Sequence, residues 1–195
     1  MTNQSRRQFL KTGALFGAAS AAAAVSAPAF STEAPQKWDE TTGLLIVGTG
    51  FAGCAAALEA HYLGAKKEEI MLVDKMSTPG GNSIINGGAV AAAGTDMQEK
   101  EGIKDSADLL FADIMKAGGG LCHPALARRI ADESVANFKW LRDDIGVQFK
   151  AVTYHGGHSV KRSHAVTNNS GSGFILPMLA KLKESDRRLA SMYES

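Results

Sequence analysis

Two cysteines, Cys54 and Cys122, are all that 195 residues contain. That number excludes a fold held by a disulfide framework, whatever the redox compartment. An excess of either charge is also missing: the formal net charge is +1, which leaves no electrostatic footprint for nucleic acid or for an acidic surface as partner. The alanine-rich run from Ala14 to Val25 falls short of the roughly 18 apolar residues that a membrane span needs. Covalent haem through C-x-x-C-H is excluded as well, because Gly119 stands where the first cysteine would precede Cys122-His123. His155, His158 and His164 have no carboxylate or cysteine at a matching spacing, so they predict a polar loop and no metal site.

What is present is ordinary globular composition, 45% hydrophobic and 21% charged, with room for one domain. The one excess is glycine, 21 residues, of which 15 fall in the clusters 48–53, 80–94, 118–120 and 156–173. Such clusters suit loops lying against a ligand.

The N-terminus reads as an address. Ser5-Arg-Arg-Gln-Phe-Leu-Lys11, the weakly apolar run to Val25 and small residues at Ala27 and Ala29 predict a twin-arginine signal peptide over 1–29, cleaved after export to the periplasm. Residues 30–42, with Pro35 and mixed charges, predict a linker. The twin-arginine route carries folded proteins, so a protein exported this way is expected to take up any cofactor before export.

The organising stretch is 44–53. Leu44 to Val47 predicts a buried parallel strand that runs into Gly48-Thr-Gly-Phe-Ala-Gly53 and a helix from Ala52 to Leu63, packed through Ala55, Ala56, Ala57 and Ala60. In a strand–turn–helix of this kind, Gly48 permits the tight turn, Gly50 the approach of a pyrophosphate, and Gly53 close packing of helix on strand. Ile70 to Val73 predicts the second strand, ending at Asp74, roughly 20 positions beyond Gly53, where an acid accepts hydrogen bonds from an adenosine ribose. A purely structural α/β arrangement carries the same pattern. Residues 75–95 show no helical or alternating period and predict a long functional loop. In it Gly80, Gly81, Gly87 and Gly88 would let backbone approach a flat ligand, flanked by Asn82 and Ser83. A glycine-rich turn pair between strands is the plainer alternative.

Gly48-Thr-Gly-Phe-Ala-Gly53, Asp74-Lys75, Gly80-Gly-Asn-Ser83, Asn86-Gly-Gly-Ala89 and residues 105–116 resemble the FAD-binding part of the fumarate reductase and succinate dehydrogenase flavoprotein family. The likeness is greatest to the exported flavocytochrome c type, which includes fumarate and urocanate reductases, and it runs from about Gly43 to Lys183. It implies an α/β fold, a Rossmann-like FAD-binding domain with a parallel sheet over 43–183, incomplete without a capping domain and a C-terminal return. It implies FAD contacts at Gly48, Gly50, Ala52, Gly53, Asp74, Lys75, Asn82, Ser83, Gly87 and Gly88. The implied activity is hydride transfer between flavin and a small unsaturated carboxylate such as fumarate, with a separate multihaem cytochrome as electron donor. The arginine acid and carboxylate clamps of the family have no counterpart in this chain, so no catalytic residue is assigned. A non-catalytic flavin-binding remnant is the alternative, and a nicotinamide-dependent Rossmann enzyme is disfavoured by the 80–88 segment and by export. Residues 184–195 lack the expected strand pattern and predict a non-family tail left by truncation or frameshift.

The rest predicts scaffold. Ser106 caps a helix carrying Leu109, Leu110, Ile114 and Met115 that ends at Gly118-Gly-Gly120. Pro124 opens another, with Ala127, Ile130, Ala131, Ser134, Phe138 and Leu141 inside and Arg128, Arg129 and Arg142 solvated, stopped by Gly146. Val147 to Val152 predicts a strand, 154–173 an unpatterned loop, and Ile175, Leu176, Leu179 and Leu182 a last helix with Pro177 early in it. Cys54 is expected to be a packing residue despite its place at a helix start.

Overall fold

A parallel pair of short strands, β1 (Leu44–Val47) and β2 (Ile70–Val73), flanks helix α1 (Phe51–Tyr62) in the order strand, helix, strand. The strands run in register from Leu44 opposite Ile70 to Val47 opposite Val73. The computed structural model describes residues 40–185. The twin-arginine segment, the linker up to residue 39 and the tail from residue 186 lie outside the described residues. Helix α1 forms because alanine carries no side-chain entropy cost in a helix, and it ends where Gly64 takes a left-handed φ of 95°. It buries Cys54, Ala57 and Leu58, with Ala55 packed half-buried against the core; Ala57 and Ala55 thus lie on the packing side as expected, whereas Ala56 is exposed and Ala60 only half-buried. The expectation of a buried β1 also fails. Leu45 is 55% and Val47 79% exposed, because β2 is its one neighbour among the described residues and α1 covers only the face that carries Ile46.

Residues 75–95 are more ordered than a patternless loop. They contain a one-turn helix, α2 (Gly81–Ile84), and strand β3 (Ala89–Ala91). The following short helix α3 (Asp96–Lys100) opens with a capping box in which Thr95 and Gln98 satisfy each other's backbone N–H groups. In α4 (Ala107–Ala117) the Ser106 hydroxyl accepts from Leu109 N–H as expected. α5 (Pro124–Lys139) follows with proline in its first turn, then a π-helical turn at Trp140–Asp144. Its buried stripe holds except at Ile130, which is exposed. Arg128 and Arg142 are not simply solvated: Arg128 pairs with Asp108 and Asp132 over the Phe111 ring, and Arg142 pairs with Asp96 over Phe138.

β4 (Phe149–Thr153) matches the predicted strand, whereas β5 (Ser163–Val166) lies inside the stretch read as loop. β5 is the centre of an antiparallel sheet in the order β3-β5-β4, and all four of its residues are buried. The last helix, α6 (Ser172–Ser185), contains Pro177, whose ring removes the partner of the Gly173 carbonyl. Helices α1 and α6 meet over the main core of Leu58, Leu72, Leu141, Val147, Phe174, Ile175 and Met178. Phe174 is fully buried and packs edge-on against Phe51 at 5.4 Å and Phe149 at 5.9 Å. Among the described residues no helix is long and apolar enough to cross a membrane.

Candidate functional site

The turn between β1 and α1 is shaped by two glycine requirements. Gly48 has φ 106° and donates its N–H to the Val73 carbonyl at 2.7 Å, which fixes the turn to the end of β2. A Cβ on Gly53 would lie 1.9 Å from the Gly48 carbonyl oxygen, so helix and turn approach more closely than any side chain allows. Gly50 precedes the helix with extended ψ and supplies no side-chain cap. The first N–H groups of α1 therefore have no intrahelical acceptors. One of them, at Phe51, donates to Ser83 Oγ at 3.1 Å. Ala52, next along, is exposed.

Asp74 stands beside this helix start. Its Oδ2 accepts from both the N–H and the hydroxyl of Thr49, and its Oδ1 accepts from Met76 N–H at 3.0 Å. The Thr49 hydroxyl, then the Met76 and Thr49 N–H groups, hold the carboxyl down to about 2, so Asp74 is an anion at any physiological pH. Cys54 behaves as packing: it is buried, its thiol donates to the Thr49 carbonyl at 3.2 Å, and burial followed by the Asp74 charge pushes it up to about 11.

The 80–88 segment is joined to the same turn. Gly80, with φ 110°, donates its N–H to Thr49 Oγ1 at 2.8 Å. Asn86 donates to the Ser83 carbonyl and accepts from Gly88 N–H, each at 2.7 Å. Gly88 has an intrachain reason to be glycine, since a Cβ there would come within 2.4 Å of Ser170 N. Gly87 has nothing within 4 Å of such a Cβ. Hydrogen bonds thus tie the turn at residues 48–50 and the start of α1 to Asp74, Gly80 and Ser83, and Asn86 ties Gly88 to Ser83. Lys75 and Asn82 are exposed.

Sequence reasoning missed Thr49, which is fully buried and ties three segments together. The signal was a hydroxyl residue between two glycines of the turn, with an acid at the end of the next strand. It also missed the polar cluster beneath β5. Arg162 is wholly buried, with Nη2 2.9 Å from Asp105 Oδ1 and Nη1 3.0 Å from Asp113 Oδ2. Burial alone would raise the Asp113 pKa, but the Ser159 N–H and hydroxyl, with Arg162, hold it below the usual carboxylate range. His164 lies buried between Phe138 and Phe149, with Nε2 2.8 Å from the Thr95 hydroxyl and Nδ1 unpartnered. It therefore serves the core and not a surface loop. Among the described residues no group of three or more His, Cys, Asp or Glu is placed to hold a metal ion.

A turn whose helix-start N–H groups lack intrahelical acceptors, a fixed carboxylate beside it and a glycine segment bonded to the same turn fit a dinucleotide cofactor. A side chain at Gly50 would crowd that place, as its Cβ would meet Ser83 Oγ at 3.1 Å. Comparison with known proteins agrees. The FAD binding domain family matches residues 43–194. The acrylate reductase flavoprotein subunit of Shewanella woodyi is 41% identical over 180 residues, 92% of this chain and 35% of that protein. The cytochrome-type fumarate reductase of Shewanella frigidimarina is 36% identical over 134 residues, 69% of this chain and 23% of its own length. A flavocytochrome c3 fumarate reductase in an open conformation superposes with TM-score 0.67 at 34% identity, covering 75% of this chain and 25% of the other. The chain thus spans about a third or less of the length of these relatives. Its cofactor is FAD, and the chain belongs to the FAD binding domain family, as the flavin-binding part of a fumarate-reductase-like flavoprotein.

Proposed function

We propose that this chain is the flavin-holding part of an exported reductase that passes hydride from FAD to a small unsaturated carboxylate such as fumarate or acrylate, with electrons delivered by a separate multihaem cytochrome. The observation that carries the reading is the joining of the α1 N-terminus, ionised Asp74 and the 80–88 segment by hydrogen bonds. The names of the relatives supply the substrate class, and Ser5-Arg-Arg-Gln-Phe-Leu-Lys11 supports twin-arginine export to the periplasm.

Each residue has a task under this reading. The first-turn N–H groups of α1 meet the pyrophosphate, where the helix dipole favours negative charge. Asp74 accepts from the adenosine ribose, and it needs no proton change to do so. Gly87, open on its outer side, lets backbone approach the ring system, while Asn82, Ser83 and Lys75 line the margin. Bound FAD supplies a two-electron carrier; the groups that hold and protonate the carboxylate substrate are not assigned to this chain.

The test is titration of the purified 195-residue chain with FAD, FMN and NAD, followed by flavin fluorescence. Weak but saturable FAD binding is expected, with no reduction of fumarate, acrylate or urocanate by reduced viologen. NAD binding without flavin uptake overturns the FAD assignment. Turnover of any of the three acids overturns the division of labour, because the chain would then hold its own catalytic groups. Export is tested by fusing residues 1–42 to a reporter and comparing it with the Arg6→Lys, Arg7→Lys variant, which should remain cytoplasmic.

A further inference from the structure

We infer that Thr49 is the positioning residue for cofactor recognition: its hydroxyl orients the Asp74 carboxylate toward the ribose and locks the 80–88 segment onto the same turn. Every polar atom of Thr49 is engaged. Its N–H and hydroxyl both donate to Asp74 Oδ2, its hydroxyl oxygen accepts from Gly80 N–H at 2.8 Å, and its carbonyl accepts from the Cys54 thiol at 3.2 Å. The residue is wholly buried, and its bonds to Gly80 and Cys54 are made away from solvent, where they are expensive to lose.

The direction of the bonds matters. A hydroxyl that accepts from Gly80 has its one proton left to give, and Asp74 Oδ2 is where it goes. Two Thr49 donors sit on Oδ2, and Met76 N–H sits on Oδ1 with Lys75 N–H contributing beside it, so the carboxylate is held from both sides. The carboxylate cannot rotate without breaking both Thr49 bonds, and a ribose hydroxyl would meet it in that fixed orientation. Serine at position 49 preserves this arrangement; valine keeps the shape and removes both hydroxyl bonds.

The ligand part of this inference rests on the FAD reading, so the experiment has two arms. In the first, carboxyl carbons of the full chain are followed by NMR from about pH 6 down to about pH 3. Asp74 is expected to stay ionised throughout in wild type and in Thr49→Ser, and to titrate within that range in Thr49→Val. An unshifted Asp74 in Thr49→Val overturns the proposal. The second arm measures FAD binding by fluorescence quenching in wild type, T49S, T49V, D74N and T49V/D74N. T49V should weaken binding about tenfold, the loss of a charge-assisted hydrogen bond, and T49S by no more than about threefold. The T49V loss should be clearly smaller in the D74N background, the signature of the part that acts through Asp74, with a remainder left by the lost Gly80 bond. An equal loss in both backgrounds, or none in either, overturns the proposal. Wild type that takes up no FAD overturns the proposed function instead, and the Asp74 titration still decides the role of Thr49.

Discussion

Arg162 Nη2 lies 2.9 Å from Asp105 Oδ1 with both side chains completely withdrawn from solvent. Gln98 Nε2 donates to the other Asp105 oxygen at 2.8 Å, so this pair joins β5 to α3 and to the start of α4. Removing one partner of such a pair strands the other charge in a low dielectric. Arg162→Leu is expected to lower stability by about 3–5 kcal/mol, read from urea unfolding. Adding Asp105→Asn to that variant should recover part of the loss, because one of the two carboxylates left without Arg162 is then neutral, Asp113 being the other.

His164 sets a pH dependence. Burial holds its pKa below the ordinary value, while the unfolded imidazole takes up a proton near about 6.5. The unfolded state therefore binds more protons below that pH, and stability is complete above about pH 6.5 and falls as the pH drops from there toward the folded pKa. Burial, then the Arg162 charge, lowers His158 in the same sense. Urea midpoints measured between about pH 5 and pH 7 should show this slope. His164→Gln should reduce it, and the double variant with His158→Gln should be shallower still.

Glycines of the turn and of the 80–88 segment separate by substitution. Gly53→Ala places a Cβ 1.9 Å from the Gly48 carbonyl oxygen and should abolish flavin uptake together with folding of the turn, seen as a fall in Tm. Gly87→Ala meets nothing within 4 Å and should leave Tm unchanged. A loss of FAD affinity in Gly87→Ala at constant Tm would then report contact with the cofactor itself.

Phe174 ties helix α6 to α1 and β4 through two edge-on ring contacts. Phe174→Ala should cost about 3–5 kcal/mol through the cavity left in the core. Phe174→Leu, which fills most of that space, should cost clearly less in the same denaturation experiment.

The exposed β1 face behaves differently. Val47 is 79% exposed, so Val47→Thr should change stability by no more than about 0.5 kcal/mol. Its effect should be seen in light scattering, where a less apolar face reduces self-association of the isolated chain.

The turn was legible because its requirements are local. Gly48, Gly53 and Asp74 each answer to atoms supplied by the β1–α1–β2 unit, and the glycine spacing carries that information directly. The Ser106 cap and the Pro124 helix start are local in the same way. β5 was not legible: Ser163-His-Ala-Val166 is half polar and has no alternating period, yet every residue is buried. Its Ser163 and His164 are accommodated by Thr153 and Thr95, which come from distant segments. Arg162 was hidden for the same reason, since its two carboxylates lie more than one element away. The exposure of β1 ran the other way: an apolar run predicts burial only if something covers it, and the sequence of the strand does not say what.

The ties between the 84–88 segment and residues 166–171 fix an order of assembly. Ser170 Oγ donates to the Ile84 carbonyl across 86 positions. Gly171 N–H donates to the Asn86 carbonyl, and Val166 N–H to that of Gly88. As the chain leaves the ribosome, the glycine turn and Asp74 can form long before these partners exist. The segment across from them must wait for the start of α6, and it closes a long loop when it forms, which makes it a slow, non-local step. By chain order the glycine turn and Asp74 are thus an early structure and the segment opposite a late one, so a nascent chain first presents a half-built cradle and completes it only when α6 docks.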